Sequence, residues 1–155
     1  MKLLTLEPGM DPELCSLLLD RISRIDSEVF QDSRWGRDAF SENVTNDYDF
    51  LTAAVSDDPE PEVFGYGLLR LFDDAELIMT AVDPEYRNRG IGRSLLDRMI
   101  TEAKQRKTAG IFLEVRESNL PARAMYRSAG FTEEGIRRGY YHDPPENAVI
   151  MRYIC

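Results

Sequence analysis

The sequence predicts an α+β fold: a mixed, mostly antiparallel seven-stranded sheet flanked by about four helices, in one domain over residues 1–155. Three observations lead there. Short apolar runs and helical repeats follow in the order strand, two helices, three strands, helix, strand, helix, two strands. Tight turns join the three central strands, as antiparallel neighbours require. No repeat, low-complexity stretch or linker divides the 155 residues, a length that suits one core.

Lys2–Glu7 alternates as a strand, and Pro8-Gly9 breaks it. Leu14, Leu17, Leu18, Ile22, Ile25 and Val29 recur with helical period, so 11–30 is an amphipathic helix. Ser33 is placed to N-cap a second helix through about Asn43, carrying Trp35, Ala39 and Phe40. Asp49–Ser56 and Val63–Phe72 read as strands around the acidic, proline-marked turn 57–61. After Asp73-Asp74, Glu76–Val82 is a third apolar run. Arg93–Arg106 is helical, with Leu95, Leu96, Met99, Ile100 and Ala103 inward. Gly110–Val115 is a short strand, and Pro121–Ser128 a short helix with Gly130 past its end. Phe131–Arg138 and Ala148–Ile154 are the last strands, joined by a loop holding Pro144-Pro145.

Composition narrows the function classes. No stretch approaches the ~18 uninterrupted apolar residues of a membrane helix, and the apolar start is too short for a signal peptide. Two distant thiols, Cys15 and Cys155, make no disulfide framework and suit a reducing cytoplasm. A net charge of −9 argues against nucleic-acid binding. It suits a basic partner, or simply keeps the protein in solution. The single histidine, His142, lies in a proline-rich loop where solvent exposure is expected, and no metal set can be built around it.

A strand ending at Val82, a loop rich in Arg and Gly, and a helix start together make an anion site. Gly90 and Gly92 permit close backbone approach and unusual φ. The N–H groups of a helix start carry partial positive charge, and Arg87, Arg89 and Arg93 add full charges. The spacing lacks the third glycine of the dinucleotide fingerprint and the Lys-Ser or Lys-Thr of a Walker loop. Read alone, it also fits a glycine turn entering a surface helix.

Val82-Asp83-Pro84-Glu85-Tyr86-Arg87-Asn88-Arg89-Gly90-Ile91-Gly92 resembles the pyrophosphate motif of the GNAT superfamily of N-acetyltransferases, Gln/Arg-x-x-Gly-x-Gly/Ala at the start of the central helix. Arg87, Gly90 and Gly92 stand at its defining places. The resemblance implies acetyl-CoA as cosubstrate, its phosphates held by Arg87, Asn88, Arg89, Gly90, Ile91, Gly92 and Arg93. It also implies that backbone groups of Thr80, Ala81 and Val82 pair with the pantetheine arm as with an added strand.

A second block follows. Glu114 interrupts the apolar run Ile111, Phe112, Leu113 and Val115. A carboxylate there is either a base beside a cleft or a pleat position facing water. Tyr126 lies among Ala122, Ala124, Met125 and Ala129, either half-buried with a wet hydroxyl or placed to protonate a leaving thiolate. Asn119 is either a helix cap or a ligand contact. Tyr140 and Tyr141 are an aromatic pair.

Leu113–Arg116, Ser118-Asn119, Tyr126, Gly130-Phe131, Arg137–Tyr141 and Ala148–Met151 are together similar to the ribosomal-protein-alanine N-acetyltransferases (the RimI type). The similarity is firm from Val82 onward and holds only in outline before it. It implies that Glu114 is the proton acceptor, Tyr126 the proton donor and Asn119 a cofactor contact. It puts Tyr140 and Tyr141 on the loop side of a peptide groove. It implies a protein N-terminus as acceptor, the alanine of a basic small-subunit ribosomal protein, with the cosubstrate between the strands ending at Val82 and Val115. Two departures stand out: Asn147 where the family has Asp, and Ser33-Arg34-Trp35-Gly36 for Pro-Trp-Ser near the substrate entrance. A small-amine acetyltransferase, acting on a polyamine or an aminoglycoside, and a silent acyl-CoA-binding regulator are the alternatives. The Arg137–Tyr141 block disfavours the first; intact Glu114 and Tyr126 disfavour the second.

Overall fold

The computed structural model describes residues 1–30 and 35–155. Its elements are β1 (Lys2–Leu6), α1 (Pro12–Val29), α2 (Gly36–Thr45), β2 (Asp49–Val55), β3 (Val63–Leu71), β4 (Ala75–Val82), α3 (Ile91–Gln105), β5 (Gly110–Arg116), α4 (Leu120–Ser128), β6 (Thr132–His142) and β7 (Pro145–Ile154). A single 3-10 turn, Pro84–Tyr86, lies between β4 and α3. The strands form one sheet in the order β1-β2-β3-β4-β5-β7-β6. The pairing of β4 with β5 is parallel, and the other pairings are antiparallel. This is the expected mixed, mostly antiparallel sheet. No helix among the described residues is long and apolar enough to cross a membrane.

Residue alternation sorts the core into two layers. On one face, Leu18, Ile22 and Ile25 of α1 and Phe40 of α2 cover Leu51, Ala53, Tyr66 and Leu68. On the other, Leu96, Met99 and Ala103 of α3 and Tyr126 of α4 cover Leu69, Leu77, Ile111, Leu113, Val115 and Met151. The second layer therefore spans the β4–β5 seam, which has few sheet hydrogen bonds of its own.

Local chemistry explains the helix starts. Asp11 accepts from the Leu14 N–H at 3.0 Å and caps α1, with Pro12 in its first turn. The expected cap Ser33 and its neighbour Arg34 lie outside the described residues. Trp35 stands at the N-cap of α2 without a side-chain cap, and its Nε1 donates to Asn43 Oδ1 at 3.1 Å. α3 begins at Ile91, two residues before the expected Arg93, because Gly90 takes the left-handed conformation (φ 79°) and starts the helix.

The last hairpin is longer than expected. β6 continues past Arg138 to His142, and β7 begins at Pro145 rather than Ala148. Pro144 sits in the turn and Pro145 is the first strand residue, where the missing N–H breaks no ladder interior. Tyr140 and Tyr141 therefore lie on a strand, not in a loop.

Gly65 of β3 lets α3 settle against the end of β4. A Cβ there would lie 2.7 Å from the Ala81 carbonyl oxygen and 3.2 Å from Leu95 Cδ1. Gly65→Ala is therefore expected to destabilise the fold by about 1–3 kcal/mol, read as a lower urea midpoint with an unchanged slope.

Candidate active site

β4 and β5 pair at only two positions, Ala75 with Ile111 and Glu76 with Phe112. Beyond them the strands part. β4 stays on β3 as far as Val82. A bulge helps turn it away: Leu68 and Leu69 pair with Met79 and Leu77, so Ile78 is the extra residue. The edge of β4 from Leu77 to Val82 that faces β5 thus has no strand partner, although it lies inside the sheet. This gap is where the sequence puts the cosubstrate, and it includes Thr80, Ala81 and Val82.

The start of α3 points at the same gap. Gly90 has no side chain to cap the helix, and a Cβ there would meet nothing within 4 Å. Its outer face is open and lined by unsatisfied helix N–H groups. Asn88 also has positive φ, 63°. Gly92 has a packing task as well. A Cβ there would sit 3.2 Å from Met125 Sδ and 3.6 Å from Val82 Cγ2. Its bareness lets β4, α3 and α4 meet. The arginines are partly committed: Arg87 Nε donates to the Val82 carbonyl at 3.3 Å, Arg89 stacks on Tyr86, and Arg93 bonds Asp97 and Ser128.

Glu114 and Tyr126 reach the gap from opposite sides. Leu113 and Val115 are buried under α3 and α4, so the alternating Glu114 projects from the other face. Tyr126 belongs to the α3–α4 layer, 7% exposed, with its ring 5.6 Å from Phe131. It is buried rather than half-wet. Burial pushes its phenol up, and the neighbouring Thr80 hydroxyl partly offsets this. The Thr80 oxygen is itself buried without a hydrogen-bond partner of regular geometry. Asn119 does cap α4, its Oδ1 accepting from Ala122 N–H at 3.2 Å; the cap uses only the oxygen, leaving the amide nitrogen to the exposed side.

Glu114 is not a lone carboxylate in an apolar strand. It is 15% exposed and accepts from Arg137 Nη1 at 2.5 Å, while Arg137 itself is 56% exposed. The Arg137 guanidinium also lies 5.1 Å from the centre of the Tyr140 ring. The nearness of the Glu114 carboxylate pushes the Tyr140 phenol up. Tyr141 packs edge-on against Tyr140 at 5.0 Å and under Arg116 at 4.3 Å, and burial pushes its phenol up to about 12. Both tyrosines and Arg137 are presented by an irregular stretch of β6 between Arg137 and Tyr141, where Gly139 has φ 63°. Asn147 holds that irregularity, its Oδ1 accepting from the Gly139 N–H at 3.0 Å. An Asp would offer the same acceptor, so the departure at this position keeps the local geometry.

A cavity of about 490 Å³ lies elsewhere, lined by Leu6, Phe50, Arg98, Glu102 and Arg106 among others. Among the described residues, no group of three or more His, Cys, Asp or Glu side chains is placed to hold a metal ion. Arg137 as the partner of Glu114 was not apparent from the motifs, because the two are 23 residues apart in sequence.

Residues 17–131 match the model of the acetyltransferase (GNAT) family. An Escherichia coli protein named ribosomal protein bS18-alanine N-acetyltransferase is 48% identical over 83 residues, 52% of this chain and 56% of that protein. The match thus spans little more than half the length of that relative. A Bacillus subtilis protein, given the same name provisionally, is 33% identical over 86% of this chain and 87% of its own length. The crystal structure of the Escherichia coli ribosomal-protein-alanine N-acetyltransferase superposes with a TM-score of 0.79 at 30% identity, covering 99% of this chain and 92% of that one. An aminoglycoside 6'-N-acetyltransferase complexed with coenzyme A shares the fold, with a TM-score of 0.80 at 16% identity. By sequence and fold alike, this chain belongs to the acetyltransferase (GNAT) family.

Proposed function

We propose that this chain transfers the acetyl group of acetyl-CoA to the α-amine of a protein N-terminus. The observation that carries the proposal is the parting of β4 from β5, with Glu114 on one face of the seam and Tyr126 on the other. A donor and an acceptor entering from opposite faces meet only there.

Several features of the cleft fit acetyl-CoA. The unpaired edge of Thr80, Ala81 and Val82 suits the amides of a pantetheine arm. Asn88, Arg89, Gly90, Ile91 and Gly92 offer an uncapped helix start to a pyrophosphate, with Arg87 and Arg93 beside it. Asn119 borders the same side through its free amide. When bound, acetyl-CoA supplies the activated acetyl thioester.

The chain's own residues then manage protons. An α-ammonium has an ordinary pKa of ~7.7–8.0, so its deprotonation near neutrality needs modest help. Glu114 takes that proton, once Arg137 has swung out on its exposed side chain. Backbone N–H groups near Val82 would stabilise the charge that develops on the thioester carbonyl oxygen. Tyr126, kept protonated at neutral pH by its burial, delivers a proton to the departing sulfur.

The relatives' names and the hairpin support this choice of acceptor. The named activity of those relatives is on the alanine of a ribosomal protein. The net charge of −9 suits such a basic partner. Tyr140, Tyr141 and Arg137 line the entrance on the Glu114 face, where a peptide would lie between α1–α2 and the β6–β7 hairpin. The free thiols of Cys15 and Cys155 suit a cytoplasmic setting.

Glu114→Gln and Tyr126→Phe are each expected to lower kcat by about 10²–10⁴-fold, with acetyl-CoA affinity by calorimetry unchanged; full activity in both variants overturns the assignment. A mass-spectrometric acetylation screen over peptides differing at their first two residues should find transfer to N-terminal amines, with alanine first preferred. Transfer to polyamines or aminoglycosides but to no peptide would replace this acceptor class.

A further inference from the structure

The side chain of Thr80 has no part in the proton path above, yet the strand aims it at the proton donor. Thr80 pairs with Gly67 of β3, and a Cβ on Gly67 would lie 2.7 Å from Met99 Cε of α3. Cross-strand partners share a face, so the Thr80 side chain points into the α3–α4 layer. Its neighbours on β4, Met79 and Ala81, pack on the opposite face, under α1 and α2. Thr80 thus borders the gap with its backbone and turns its hydroxyl toward the layer that holds Tyr126.

That layer is otherwise apolar, built from residues such as Leu77, Leu96, Met99, Leu113 and Val115. Among the described residues, Thr80 Oγ1 is the one buried side-chain oxygen or nitrogen without a regular hydrogen bond. Packing gives no reason for it. Valine has the same shape and an equal preference for strands, without the cost of burying a hydroxyl. The Tyr126 phenol lies beside it. Burial pushes that phenol up, and the Thr80 hydroxyl draws it back down. A hydrogen-bond donor to the oxygen favours the phenolate, and an acceptor from the phenol opposes it. The downward pull is therefore that of a threonine O–H donating to Tyr126.

We propose that Thr80 is a positioning residue for the proton donor: its O–H donates to the Tyr126 oxygen, which leaves the phenol proton turned to the gap and steadies the phenolate as it forms. The proposal rests on the reading of Tyr126 given above. As the C–S bond breaks, its electron pair goes to sulfur and the phenol proton follows. The phenolate left behind is held by the Thr80 O–H, which keeps its own proton throughout. Solvent then returns to Tyr126 the proton that the new amide nitrogen sheds. No other polar side chain is needed in the dry layer behind the seam.

The test is a double-mutant cycle over wild type, Thr80→Val, Tyr126→Phe and the pair together, with Thr80→Ser as the conservative variant. Turnover is followed as release of the CoA thiol. The amine is an N-terminal alanine peptide or, should no peptide turn over, a polyamine or aminoglycoside, because the leaving group is the same for each. Thr80→Val is expected to lower kcat about tenfold, with acetyl-CoA KM unchanged and the urea midpoint no lower than wild type. Thr80→Ser should recover most of that loss. In the Tyr126→Phe background, Thr80→Val should change kcat by less than about twofold, because the two residues act as a unit. Full kcat in Thr80→Val beside a loss in Tyr126→Phe overturns the proposal alone. So does an equal loss in both backgrounds, a raised acetyl-CoA KM, or a serine variant no better than valine. Full activity in Tyr126→Phe, or no thiol release from wild type with any amine, overturns the reading of Tyr126 and this proposal with it.

Discussion

The architecture depends on a parallel pairing that stops after two residues. Sheet hydrogen bonding alone would carry β4 and β5 side by side to their ends. The bulge at Ile78 and the hold of β3 on β4 pull one strand away, while β7 keeps the other in place along its whole length. A seam this weak survives because side chains bridge it. Leu96, Met99 and Ala103 of α3 lie across both halves and bury Leu77, Ile111 and Leu113 in one layer. Hydrophobic burial, which has no direction, replaces hydrogen bonds, which do. The backbone can therefore part at the seam without the core opening.

A second tier of polar contacts keeps the acceptor side in order. Glu146 accepts from the Ser118 N–H and pairs with Arg116, tying the base of the last hairpin to the turn after β5. The Asn147 side chain fixes Gly139, and its carbonyl accepts from the Glu117 N–H. At the far side, Asn43 donates to Asp49, which also takes Arg70 and so pins α2 to the sheet. These bonds sit around the groove rather than in it.

Much of this was readable from the chain because strong periodicity survives packing. The stripe Leu95, Leu96, Met99, Ile100, Ala103 meets its layer as expected, and the loop Arg87–Gly92 does open a helix beside a strand end. The misreadings have physical causes. Two adjacent prolines suggested a loop, but at a hairpin turn and a strand's first residue they break no ladder, so Tyr140 and Tyr141 became strand residues. Gly92 also has a packing duty, its missing side chain making room for Met125 and Val82, which no local pattern reveals. The rung that Glu76 shares with Phe112 joins two distant strands, and such register is not written in either strand alone.

The unpaired stretch of β4 is an edge strand placed in the middle of a sheet. Exposed edges elsewhere invite other chains to add to them, and proteins usually blunt them with charge or proline. Here Leu77–Val82 has neither, because the edge lies inside the sheet: β3 holds one side of it, and β5, held by β7, stands beyond the other. Position in the fold thus does the guarding that charge and proline do at ordinary edges.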